Sequence, residues 1–128
     1  MRLPDWPDRL IRFMEDRQRV PFKWGEQDCV TYAMGAVKAM TGTDHLDDLS
    51  TWSDKASAQA SIEAVGGLEK ALDDRFRRTD IPQRGDVGMV VAGGSSILGV
   101  AYPPNVWIAD VEHVRRMSLK ACRAFWSV

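Results

Sequence analysis

The residue best placed to do chemistry is Cys29, in the run Phe22-Lys23-Trp24-Gly25-Glu26-Gln27-Asp28-Cys29-Val30. A loop carrying Trp-Gly and Asp ends there, and an apolar stretch with a helical period follows directly. A thiol in the first turn of a helix sits at the positive end of the helix dipole, where the thiolate is favoured and the pKa falls. That arrangement makes Cys29 a candidate nucleophile; its bland alternative is a small core residue. A nucleophilic thiol needs a base for its proton and then an acid for the leaving group. Only two histidines are available. His45 lies in an acidic loop and reads as surface. His113, in Val111-Glu112-His113-Val114, is the candidate for an unconventional base; the competing reading is an exposed edge histidine. Asp28 reads as a helix cap or loop anchor, with an acid–base role as the alternative. Glu26 and Gln27 either add polar groups beside the thiol or simply shape the loop.

The elements that must position these residues change type halfway along the chain. Asp5-Trp6-Pro7-Asp8 is a helix start, with Asp5 as cap and proline in the first turn. Trp6, Leu10, Phe13 and Met14 then share one face, and Pro21 ends the element. A second helix runs from about Asp28 to Thr41, with Gly42 as its stop. Only Thr31, Gly35 and Lys38 interrupt its apolar surface, so it is expected to be the buried central helix, with Cys29 at its entry. Thr43 to Trp52 is a polar loop. Ser53-Asp54 caps a third helix that ends at Gly66-Gly67. Leu68, Ala71, Leu72 and Phe76 mark a fourth, and Arg77 to Arg84 reads as a connector. From Asp86 the period becomes that of strands: Val87–Ala92, Ile97–Tyr102, Val106–Ala109, His113–Met117 and a closing Ala121–Val128. The turns between them, including Gly93-Gly94-Ser95-Ser96, are short enough to make neighbours antiparallel. Helices followed by an antiparallel meander predict one α+β domain over residues 1–128.

This order of elements and motifs resembles the NlpC-type papain-like cysteine hydrolases, which cut peptidoglycan stem peptides. Their Asp-Cys-Ser-Gly, Pro-Gly-Asp and His-Val-Gly-Ile runs correspond to Asp28-Cys29-Val30-Thr31, Arg84-Gly85-Asp86 and Ile97-Leu98-Gly99-Val100 here. The resemblance implies a papain-like fold with Cys29 at the nucleophile position. It also places Ile97 where the family has its catalytic histidine, and Ala109, with Asp110 beside it, where a third polar residue orients that histidine. Two of three catalytic positions are thus apolar, a loss that costs orders of magnitude in rate. More closely, the chain is similar to a small phage- and prophage-encoded family of about this length that lies among tail genes. The shared runs are Trp24-Gly25-Glu26-Gln27-Asp28-Cys29, Gly85-Asp86, Leu98-Gly99-Val100 and Trp126. That likeness implies a structural or assembly protein of a phage tail, at the tail tip or baseplate, on a degraded hydrolase fold. Its partners would be other tail proteins and, in the cell wall, peptidoglycan. Two alternatives remain: an active thiol hydrolase using His113 or a partner's histidine, and an adaptor that binds a host protein or peptide in the old cleft.

Composition narrows the classes further. A net charge of -1 provides no bulk field for nucleic acid or an acidic membrane. No run approaches the roughly 20 apolar residues of a membrane helix, and Met1 to Arg9 lacks the apolar core of a signal peptide. The expectation is synthesis in the host cytoplasm and incorporation into the particle, with no membrane insertion. Two cysteines and two distant histidines have no zinc-site spacing, so no metal or other cofactor is expected. Cys122 reads as an inert residue facing the sheet interior. Trp24 and Trp126 read as braces, whereas Trp52, Trp107 and the Pro103-Pro104 turn are candidates for a contact surface. Arg84-Gly85-Asp86 reads as a strand start, not as an adhesion motif.

Overall fold

A computed structural model describes residues 1–128. Four helices come first: α1 (Trp6–Arg17), α2 (Cys29–Thr41), α3 (Lys55–Ala64) and α4 (Leu68–Arg75). Six strands follow, β1 (Arg77–Arg78), β2 (Val87–Ala92), β3 (Ser95–Tyr102), β4 (Asn105–Ala109), β5 (Val114–Ser118) and β6 (Cys122–Ser127), with a short 3-10 turn at Leu119–Ala121. All strand pairs are antiparallel, in the order β1-β6-β2-β3-β4-β5. The architecture is α+β.

Helix α2 is the centre of the molecule because its sequence is apolar on nearly every side. Tyr32, Ala33, Ala36, Val37 and Met40 are fully buried. One flank of α2 packs with Val87, Met89, Leu98 and Trp126 of the sheet and with Leu72 of α4. The other packs with Leu10 of α1 and with Val100, Ala109 and Val114. Gly42 closes the helix in the left-handed conformation, its N–H bonded to the Lys38 carbonyl.

A third cluster forms around Val90, Val106 and Ile108. Gly88 and Gly99 face each other across β2 and β3, where neighbouring side chains and backbone approach closely. A Cβ on Gly99 would lie 2.6 Å from the Trp107 carbonyl oxygen and 2.7 Å from Val106 Cγ2. Both Cys29 and Cys122 border this cluster. Burial there pushes the Cys122 thiol up to about 11.

Several local expectations need correction. Asp5 precedes α1 but caps nothing; its carboxylate instead accepts a hydrogen bond from Arg9 Nε at 2.8 Å. The connector after α4 contains a strand, because Arg77 and Arg78 pair with Ser127 and Trp126. His113 precedes its strand, which runs from Val114 to Ser118. Strand β3 begins earlier than expected, at Ser95, so the hairpin turn tightens to Gly93-Gly94, with φ of 57° and 78°. No helix is long and apolar enough to cross a membrane.

Candidate functional site

The entry to α2 is built by a carboxylate that serves four donors. Asp28 is the N-cap: its Oδ1 accepts from the Thr31 N–H at 2.8 Å and from the Thr31 hydroxyl. The Thr31 hydroxyl oxygen accepts in return from the Asp28 N–H at 2.9 Å, closing a reciprocal capping box. The other oxygen, Oδ2, accepts from the Gly25 N–H at 2.8 Å and the Trp52 indole N–H at 2.6 Å. Asp28 is 2% exposed. It therefore acts as cap and loop anchor together, and both oxygens are occupied by structural bonds. Trp52, expected on a contact surface, is a buried part of this anchor. Gln27 fixes the same loop to α1: its side-chain oxygen accepts from Arg17, and its amide donates to the Arg17 carbonyl. Gln27 thus shapes the loop and offers nothing to the thiol.

Cys29 opens into a cleft of about 490 Å³. Ile97, Ile108 and Ala109 line it with the thiol. Phe22 and Trp24, packed edge to face with ring centroids 5.0 Å apart, form one wall. Ile62 of α3 and Leu68 of α4 contribute to the rest of the lining. The polar groups in the lining are Lys55, Gln59 and Glu63 of α3, the serines that start β3, and Asp110. Asp110 has both carboxylate oxygens engaged, accepting from the Val111 N–H and from Arg115 Nε. The structure therefore gathers Cys29, Ile97, Ala109 and Asp110 around one cavity. His113 is exposed and is not among the residues that line it; its carbonyl accepts from the Asp110 N–H at 3.1 Å. His45 is half-buried against Phe76, 4.8 Å between ring centroids, and burial holds its pKa below the ordinary value.

Desolvation works against the expected activation of the thiol. Burial pushes the Cys29 thiol up to about 11; a backbone hydrogen bond from Leu98 opposes this, and the neighbouring Asp28 charge reinforces it. The favourable end of the α2 dipole is a local effect of limited size. Desolvation by apolar side chains exceeds it. At pH 7 such a thiol is overwhelmingly protonated. Chemically the site offers an uncharged thiol, largely apolar walls and two carboxylates, Asp28 and Asp110, whose oxygens are held in other hydrogen bonds.

This yields a direct expectation for iodoacetamide labelling. The folded-state pKa is raised, so the Cys29 rate should climb about tenfold per pH unit beyond the range of a free thiol at about 8.5, without levelling there. His113→Ala should leave the profile unchanged. A plateau by pH 8, or a shift on removing His113, would contradict the geometry. The same raised value makes the fold lose stability as pH rises from about 9 towards about 11, because the unfolded chain ionises first.

No curated protein matches this sequence. A match to a family does extend along the whole chain, from residue 1 to residue 128. The chain belongs to the family described as Domain of unknown function (DUF6950).

Proposed function

We propose that the chain is a structural or assembly protein of a phage tail, at the tail tip or baseplate. On this reading it is built on an NlpC-type, papain-like frame whose cleft binds and no longer cuts. The observation that carries the proposal is the cleft itself. Cys29 stands at the entry of the central helix, and the positions that the resemblance assigns to its base and orienting residue hold Ile97 and Ala109 in the same cavity. Burial raises the thiol's pKa, and no histidine lines the cleft, which disfavours chemistry by general base and nucleophile. What remains is a largely apolar groove with a minority of polar groups in its lining, the composition of a recognition site. The motifs shared with the tail-gene family, Trp24 to Cys29 and Leu98-Gly99-Val100, build the loop and strand that shape this groove, which favours retention of the frame for contact with other tail proteins.

Two measurements test the reading. Purified protein incubated with peptidoglycan should release no muropeptides above buffer, and Cys29→Ala should behave identically. Deleting the gene from the phage or prophage that carries it should yield incomplete tails, rescued by a Cys29→Ala copy. Cleavage that disappears in Cys29→Ala would establish a thiol hydrolase instead. Complete, infective particles without the gene product would remove the tail role.

A further inference from the structure

Strand β5 is an open edge of the sheet, the last in the order β1-β6-β2-β3-β4-β5. Its ladder with β4 fixes which way its backbone faces. The Asp110 N–H donates to the His113 carbonyl and the Leu119 N–H to the Pro104 carbonyl, both at 3.1 Å. Odd-numbered residues from His113 to Leu119 thus turn their backbone polar groups towards β4. In an antiparallel ladder the alternate residues face the other way, so Val114, Arg116 and Ser118 aim N–H and C=O outward. Val114 is buried, which leaves Arg116 and Ser118, both exposed, as the accessible part of the edge.

The side chains beside this edge carry unspent charge. Arg115 is held by Asp110, but neither Arg116 nor Lys120 makes an ion pair. Arg116 stands opposite Trp107 in the ladder, its guanidinium 5.9 Å from the ring centroid. Trp107 in turn borders a cavity of about 270 Å³ against α1, where Ile11 and Met14 supply apolar surface and Glu15 and Gln18 polar groups. The opposite edge differs: β1 is two residues long, and its Arg78 is held by Asp73 and Glu69.

We propose that β5 is a docking edge for an extended acidic segment of another protein, which joins the sheet as an antiparallel strand. An acidic residue of that segment lies opposite Arg116 and exchanges two backbone hydrogen bonds with it. Two places further towards the segment's C-terminus, on the same face, an apolar side chain reaches the mouth of the cavity beside Trp107. Charge selects this occupant. A second copy of the chain, paired about a two-fold axis centred on the strand, sets Arg116 opposite Arg116, and like charges so placed are destabilising. Glu15 repels a carboxylate within the cavity, so the acid belongs opposite Arg116, which is not in the cavity lining. Neither β5 nor this cavity shares a residue with the lining of the Cys29 cleft, so either reading can fail without the other.

The test uses the full chain and two end-capped peptides, Thr-Thr-Glu-Thr-Val-Thr-Thr and its counterpart with Lys in place of Glu, at millimolar concentration. Amide hydrogen exchange by NMR reads the edge directly. The Arg116 and Ser118 N–H groups should exchange freely in the protein alone and become protected by the Glu peptide. The Lys peptide should bind about three- to tenfold more weakly at low salt, the effect of turning one exposed attraction into a repulsion. Arg116→Glu, an exposed change, should reverse that preference. Three results would each overturn the proposal. No protection of either amide by the Glu peptide would mean that the arginines only guard the edge against pairing. Equal affinity for the two peptides would mean that charge does not select the occupant. Protection that rises with protein concentration in the absence of peptide would mean that a second copy takes the edge.

Discussion

Replacing Asp86 with alanine is expected to destabilise the protein by about 3–5 kcal/mol, the range for removing one partner of a buried ion pair. Asp86 ends the Arg84-Gly85-Asp86 run and is 2% exposed. Its Oδ1 accepts from Arg2 at 2.9 Å and from the Val128 N–H at 3.0 Å, and its Oδ2 accepts from the Gln83 N–H at 2.8 Å. Arg2 is committed on three sides, donating also to the carbonyls of Val128 and Arg84. Arg2 also stacks 4.2 Å from the Trp6 ring centroid. One carboxylate thus ties the segment before α1 to the start of β2 and the end of β6. The alanine variant leaves a partly buried guanidinium uncompensated and two backbone donors without acceptors. Urea unfolding should show the loss, and a cycle with Arg2→Ala should show strong coupling between the two sites. Additive effects would mean that the pair contributes little beyond its separate parts. The same burial explains why this triplet is no adhesion motif: its aspartate is not available to a receptor.

Sequence alone discloses those parts of the fold whose cause is local. The apolar run after Asp28, stopped by Gly42, reads as a central helix because its period and its cap lie within fifteen residues. The Gly93-Gly94 turn reads as a hairpin for the same reason. Strand β1 escapes notice because two arginines have no strand signature of their own; their partners, Ser127 and Trp126, lie some fifty residues away. The meeting of Cys29, Ile97 and Ala109 is legible only through the spacing of family-like motifs, since nothing local links them. The thiol's pKa is illegible for a related reason. A helix dipole can be read from Asp28-Cys29, but the side chains that desolvate the sulfur come from β3 and β4. Trp52 shows the limit most plainly: in a polar loop it reads as an exposed aromatic, yet its indole N–H is what the second oxygen of Asp28 requires.

That bond makes Asp28→Ala the most informative change at the site. Loss of the N-cap alone costs about 1 kcal/mol. The Gly25 and Trp52 N–H groups also lose their acceptor, each at about 1–3 kcal/mol where burial denies them water. A total of about 3–7 kcal/mol lowers the melting temperature by about 10–30 °C for a chain of this size. Asp28→Asn keeps a side-chain oxygen for the cap and should lose less than half as much. The consequence for Cys29 runs the other way. The loop from Phe22 to Asp28 carries the aromatic wall of the cleft, and its release admits water to the thiol. Removal of the adjacent carboxylate takes away a second influence that raises the thiol's pKa. Alkylation of Cys29 at pH 8 should therefore accelerate by at least about tenfold, the equivalent of one pKa unit. A catalytic aspartate would give the reverse pattern, a slower thiol in a protein of unchanged stability. The two readouts together decide whether Asp28 is there to activate the cysteine or to hold the frame that keeps it silent.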